Sequence, residues 1–141
     1  MFQLDECVYY IATLSLKKVT DSYNDTLKEY GVTRVQWIAL YYIEKSEGIS
    51  QSELADMMHG QESTIARLVG RMIKNGLVER KTDERDRRAV KLYCTPKGHE
   101  MYAILLKVCD SFYQNIIRDI PRNELDTFRS VLDRLVENSG N

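Results

Sequence analysis

The sequence predicts a mainly α fold (α+β) in which one small hairpin interrupts a succession of helices. Three observations carry this. Two prolines, Pro96 and Pro121, and seven glycines are the only strong helix breakers among 141 residues, so long helices are permitted over most of the chain. Apolar residues recur at three- and four-residue steps almost throughout and alternate clearly only over residues 89–94. Capping and turn signals then cut the chain into segments of helix length.

Over residues 2–30, Leu4, Val8, Ile11, Ser15, Val19, Tyr23 and Leu27 keep helical spacing, and Gly31 stands as the C-terminal cap. Thr33 and Gln36 have capping-box spacing and open a second helix carrying Trp37, Leu40, Tyr41 and Ile43, which Gly48 interrupts. Ser50 and Glu53 repeat that spacing ahead of a short helix with Leu54, Met57 and Met58. His59, Gly60 and Gln61 allow a tight turn, and a helix over 62–75 follows, with Ile65, Leu68, Val69, Met72 and Ile73 on one face. After Gly76, residues 77–81 and 89–94 read as two strands joined by a charged loop. Thr95 before Pro96 is a helix start, hydroxyl at the cap and proline at the first helical position. That helix holds Met101, Ile104, Leu105, Val108, Phe112 and Ile116. A last helix after Pro121 holds Leu125, Phe128, Val131, Leu132, Leu135 and Val136. Short helix, turn, helix and hairpin in this order make a winged helix-turn-helix, in which the second helix presents its exposed N-terminal end to a major groove and the hairpin projects beside it.

Composition narrows the function. With 43% hydrophobic and 29% charged residues the chain reads as one soluble domain over residues 1–141, with neither a bilayer-length apolar run nor a signal peptide; a cytoplasmic location without membrane attachment is expected. Cys7, Cys94 and Cys109 lie far apart without metal-ligand spacing. His59 and His99 are separated as well, and there is no nucleotide-binding glycine loop, so neither catalysis, a metal nor a cofactor is expected. The formal charge of −1 hides an asymmetry. Residues 61–98 hold ten Lys/Arg against five Asp/Glu, a charge of +5, and the remainder holds ten against sixteen, a charge of −6. A basic segment on an acidic body marks a local polyanion-binding face.

The run TIARLVGRMIKNGLVERKTDERDRRAVKLYCTPKG, residues 64–98, resembles the signature of the MarR (multiple antibiotic resistance regulator) family of bacterial transcription regulators. Thr64 and Arg67, then Gly76-Leu77-Val78, then Asp86-Arg87-Arg88, then Thr95 and Gly98 stand at that family's spacing. Cys94 departs from it, where leucine is frequent. The resemblance implies dimerisation helices at about 1–30 and 99–141 around a winged helix-turn-helix at about 33–98. It implies a homodimer on a pseudo-palindromic duplex operator, and in many members a small-molecule or redox signal that loosens DNA binding.

The recognition helix offers Gln61, Glu62, Ser63, Thr64, Arg67 and Arg71 away from its apolar face, with Ser50 and Ser52 on the preceding short helix. Glutamine and arginine make bidentate contacts with adenine and guanine edges, and hydroxyls suit phosphates. Glu62 either pairs with an arginine or reads a cytosine amino group. Arg85, Arg87 and Arg88 on a narrow hairpin suit a minor groove, with Asp83, Glu84 and Asp86 expected to hold arginines by two-pronged bonds. By resemblance, Arg88 is the minor-groove residue, with Asp86 and Arg87 bracing the wing and contacting the backbone. Also by resemblance, a crevice lined by Tyr9, Tyr10, Tyr23, Trp37 and Tyr41 would take an aromatic or phenolic effector. Peroxide-sensing relatives instead use a cysteine in the first helix; Cys7 lies about two residues before that place, beside Asp5 and Glu6, which oppose a thiolate. The alternatives to a ligand-responsive repressor are therefore a redox regulator using Cys7 and an interaction module that has lost DNA binding.

Overall fold

The computed structural model describes residues 1–86 and 88–140. They form two compact units, Met1–Cys109 and Asp110–Asn141. A 3-10 turn, Leu4–Glu6, precedes α1, Val8–Lys28. The remaining helices are α2, Arg34–Lys45; α3, Gln51–Met57; α4, Glu62–Lys74; α5, Pro96–Ile116; and α6, Arg122–Asn138. The first helix thus starts later than its apolar spacing suggests, because Cys7 has extended backbone between the 3-10 turn and α1.

The core of the first unit is built from the predicted faces. Leu27, Trp37, Leu40, Ile43, Leu54, Ile65, Val69, Met72, Leu92 and Leu105 are all buried there. Both halves of the Thr33 capping box form: its hydroxyl accepts the Gln36 N–H at 3.2 Å, and the Gln36 side chain accepts the Thr33 N–H at 3.1 Å. The second box forms only in half. Ser50 accepts the Glu53 N–H at 3.0 Å, while Glu53 returns no bond.

The hairpin consists of β2, Val78–Thr82, and β3, Val90–Cys94, paired antiparallel with Val78 opposite Cys94 and Thr82 opposite Val90. A third strand, β1, went unseen in the sequence. It has only two residues, Ile49 and Ser50, which pair with Leu92 and Lys91 of β3. The sheet order is β1-β3-β2, so β3 is central and its Leu92 is fully buried.

The join between hairpin and α5 is tight. Thr95 Oγ1 donates to the Gly76 carbonyl and accepts the Gly98 N–H at 3.0 Å, acting as the cap expected for α5. Gly98 is required by space: a Cβ there would lie 2.0 Å from the Leu77 carbonyl oxygen. Gly76, at φ +77, ends α4 in the left-handed region.

In the second unit, α6 has no buried residue, and Phe128, Leu132, Leu135 and Val136 are exposed along it. Tyr113, Ile116, Ile117, Ile120, Leu125, Phe128 and Leu132 line a groove of about 650 Å³ in this unit.

Candidate nucleic-acid interface

α4 is held by its apolar face and free on the other. Ile65, Val69 and Met72 are buried, while Gln61, Glu62, Ser63, Thr64, Arg67 and Arg71 are all exposed. The turn that aims it places His59 at φ +53 and ties the Gly60 N–H to the Ala55 carbonyl at 2.9 Å. Gln61 is the N-cap but makes no side-chain cap bond, so no side chain competes for the first-turn N–H groups of α4. With the helix dipole behind them, such groups favour an anion. Glu62 has no ion-pair partner among the described residues. On α3, Ser52 is exposed; Ser50, its N-cap, accepts one N–H there and keeps its O–H to donate.

The wing loop corrects one expectation. Among the described residues its carboxylates do not clamp guanidinium groups. Asp83 Oδ1 accepts the backbone N–H of Arg85 at 2.9 Å, and Asp86 Oδ1 accepts that of Arg88 at 3.0 Å. The Asp83 N–H donates to the Ala89 carbonyl, and the Ala89 N–H to the Asp86 carbonyl, closing the loop at its base. Short acidic side chains bond their own backbone two residues on, a local geometry that reaches its partner without ordering a long arginine. Asp86 therefore shapes the loop, while the exposed guanidinium groups of Arg85 and Arg88 have no carboxylate partner among the described residues. The other Asp83 oxygen lies 3.9 Å from Lys91 Nζ. Arg87 lies outside the described residues.

Three supporting residues escaped sequence reading. Arg80 of β2 donates to the Ala66 carbonyl of α4 at 3.3 Å, tying the wing to the recognition helix. Lys97 Nζ donates to the Asn75 carbonyl at 2.8 Å, a cation at the negative end of α4. Lys81 Nζ lies 4.8 Å from the centre of the Tyr93 ring across the hairpin. A lysine just after a helix start and an arginine on a strand carry no signal of their partners, since those partners are backbone carbonyls of another element.

Of the five residues expected to line an effector crevice, Tyr23, Trp37 and Tyr41 come together, while Tyr9 and Tyr10 stand apart from them. Trp37 is buried and stacks on Tyr102 at 5.8 Å, with Tyr41 edge-on to it at 5.9 Å. Tyr23 is half-buried beside Cys109, and burial first, then that thiol, raises its phenol well above the ordinary value. Tyr9 and Tyr10 are exposed in the first turn of α1. Tyr9 and Tyr23 stand fourteen positions apart on one helix, about 21 Å along its axis, too far for one small ligand. A cleft of about 520 Å³ opens elsewhere, lined by Asn24, Asp25, Lys28, Val32, Thr33, Val35, Gln36, Leu68 and Arg71.

A short helix, a tight turn, an outward-facing amphipathic helix and a projecting hairpin define a winged helix-turn-helix. A family model described as the MarR family matches residues 30–89. The winged helix-turn-helix part of the chain thus matches the MarR family, and the chain as a whole is similar to MarR-family transcription regulators. It is 27% identical over 115 residues, 82% of this chain and 77% of the relative, to YybA, an uncharacterized HTH-type transcriptional regulator of Bacillus subtilis (strain 168). Among solved structures it is similar to a crystal structure of MarR, with 29% identity, TM-score 0.77, and coverage of 99% of this chain and 95% of that one. The transcriptional repressor CouR bound to a 23-mer DNA duplex shares the fold at TM-score 0.87 and 20% identity, over 94% of each chain. Among the described residues no helix is long and apolar enough to cross a membrane.

Proposed function

We propose that the chain binds duplex DNA sequence-specifically, as a homodimer on a pseudo-palindromic operator, and represses transcription there until a small effector loosens its hold. The observation that carries this is the exposed polar face of α4, Gln61 to Arg71, in one unit with a wing whose exposed Arg85 and Arg88 have no carboxylate partner among the described residues. Arg67 is the base-edge contact, Arg88 the minor-groove contact, and Ser50, Ser52, Ser63 and Thr64 serve the phosphates. Repression is supported by the solved likeness to a repressor on DNA. Dimerisation is supported by the apolar side chains left uncovered in each unit: Leu4, Val8 and Ile11 in one, Phe128, Leu132 and Leu135 in the other.

For the effector, the cleft beside α4 suits the task better than a crevice that would have to span Tyr9 and Tyr23. Val32, Val35 and Leu68 give it an apolar wall, and Lys28 and Arg71 give it cations, so it fits an aromatic carboxylate. Such a ligand engages Arg71 on the same helix that faces the groove. A redox switch has less support, because Cys7 serves as N-cap of α1 directly after Asp5 and Glu6.

The test is binding to the DNA upstream of the chain's own gene between about 50 and 200 mM salt, where six or more phosphate contacts lower affinity at least roughly 1000-fold. An aromatic carboxylate should weaken binding about 5- to 150-fold, and Lys28→Ala should remove that response while leaving DNA affinity intact. Salt-independent binding, or none at micromolar concentration, leaves an interaction module instead. Relief by peroxide that Cys7→Ser abolishes establishes the redox alternative.

A further inference from the structure

We propose that Glu44, Cys94 and His99 form a binding site for a divalent transition-metal ion of the zinc class. The three come from separate elements: the last turn of α2, the end of β3 and the first turn of α5. Their ligand atoms, one carboxylate oxygen, one sulfur and one imidazole nitrogen, all lie within 4.8 Å of one another. Zinc bonds of about 2.0–2.3 Å in tetrahedral arrangement place ligand atoms about 3.3–3.6 Å apart. His99 Nδ1 and Glu44 Oε2 now sit 2.6 Å apart, hydrogen-bonded, and need to open by less than an ångström. The remaining separations, none above 4.8 Å, need to close by little more than an ångström.

The surroundings are those of a metal site as well. Once Nδ1 faces the ion, the other ring nitrogen, Nε2, lies 3.5 Å from Glu47 Oε1. A carboxylate behind the second imidazole nitrogen fixes tautomer and ring orientation at metal centres. The backbone of two ligands is braced: Cys94 is paired to Val78, and His99 follows Gly98, whose close approach to the Leu77 carbonyl locks the start of α5. Cys94 is buried, so its sulfur supports the site from beneath, and His99 and Glu47 on the solvent side leave a fourth position for water. Thiolate, imidazole and carboxylate together select zinc, cobalt and their neighbours over magnesium or calcium. Without metal, burial and then the Glu44 and Glu47 carboxylates push the Cys94 thiol up to about 12. The two acidic groups that oppose a thiolate there attract a dication. Because Glu44 lies far from Cys94 and His99 in the sequence, the set of three shows only in the fold. The site stands whether or not the chain binds DNA.

Cobalt(II) tests it in the full-length protein. One equivalent should give the intense near-ultraviolet thiolate-to-cobalt absorption with tetrahedral visible bands. Zinc should displace it, and magnesium should not. Cys94→Ser should abolish the thiolate band, while Cys7→Ser and Cys109→Ala should keep it. His99→Ala, an exposed position that leaves the core untouched, should weaken zinc binding more than 100-fold in a chelator competition. Glu47→Gln should weaken it about 10-fold, as loss of a supporting carboxylate does. No thiolate band at one equivalent, a band that survives in Cys94→Ser, or zinc affinity unchanged in His99→Ala would each overturn the proposal.

Discussion

α4 and α6 are both amphipathic helices, of 13 and 17 residues, and they meet opposite fates. α4 buries Ile65, Val69 and Met72 inside its own unit, which leaves its polar face as the one presented outward. α6 repeats apolar residues just as regularly and buries none of them. Periodicity says that a face is to be covered; it does not say by what. In α4 the cover comes from the same chain, and the outward face is free to do chemistry. In α6 the apolar face is itself the outward one.

The sharpest way to break this comparison is a charge on α6. Leu132→Asp, present twice in a symmetric dimer, should cost about 3–5 kcal/mol per buried unpaired carboxylate and yield a monomer by sedimentation, with helical circular dichroism retained. A dimer undisturbed by Leu132→Asp would show that the α6 face is covered by something other than a second copy. The corresponding test on α4 is Met72→Ala, which should lower unfolding stability by about 2–5 kcal/mol in urea without altering the solution mass of the folded protein. A loss well under 1 kcal/mol would deny α4 its core role.

On the outward face of α4 the effect should be smaller and selective. Arg67→Ala should relax discrimination at one base pair by about 1–3 kcal/mol. Arg88→Ala should instead weaken binding most on operators with a narrow flanking minor groove, and should reduce the salt slope by roughly 0.9 for each phosphate the wing no longer neutralises. An unchanged slope and affinity for Arg88→Ala would remove the wing from the interface.

The smallest effect belongs to the buried side of the first unit. Burial raises the Cys109 thiol above its ordinary value of 9.0, with the Tyr23 hydroxyl opposing the shift. The folded chain thus keeps a proton that the unfolded chain releases near pH 9. Stability should be fully present below that pH and decline above it, by at most about 1.4 kcal/mol per pH unit for this thiol. Cys109→Ala should make the alkaline decline shallower; an identical decline in the variant would assign it to other groups.

Legibility in the sequence followed the range of the interactions. Thr33 and Gln36, or Thr95 and Gly98, lie three residues apart, and their bonds form as their spacing suggests. The face of α4 was equally plain, because one helix carries the whole pattern. Two-residue β1 is shorter than any period, and only its partner Leu92 reveals it. The acidic residues of the wing were visible as a group, but the choice between bonding an arginine head and bonding the backbone two residues on is made by local geometry. Tyr9 and Tyr23 shared a composition without sharing a place, since helical rise separates what a count of tyrosines gathers.

The threonine that begins α5 gives the first unit a mechanical property. Thr95 Oγ1 holds the Gly76 carbonyl and the Gly98 N–H together, and Lys97 grips the Asn75 carbonyl beside it. The trailing end of the recognition helix is therefore clamped to the leading turn of α5 at adjacent points, like the heel of a lever in a hinge. Thirteen residues make an arm of about 20 Å. A tilt of about 10° at the clamp swings the free tip, where Gln61 to Thr64 stand, through roughly 3.4 Å, the rise of one nucleotide step along a strand. A small rotation at the start of α5 is thereby geared up into a whole base-pair misalignment at the helix tip.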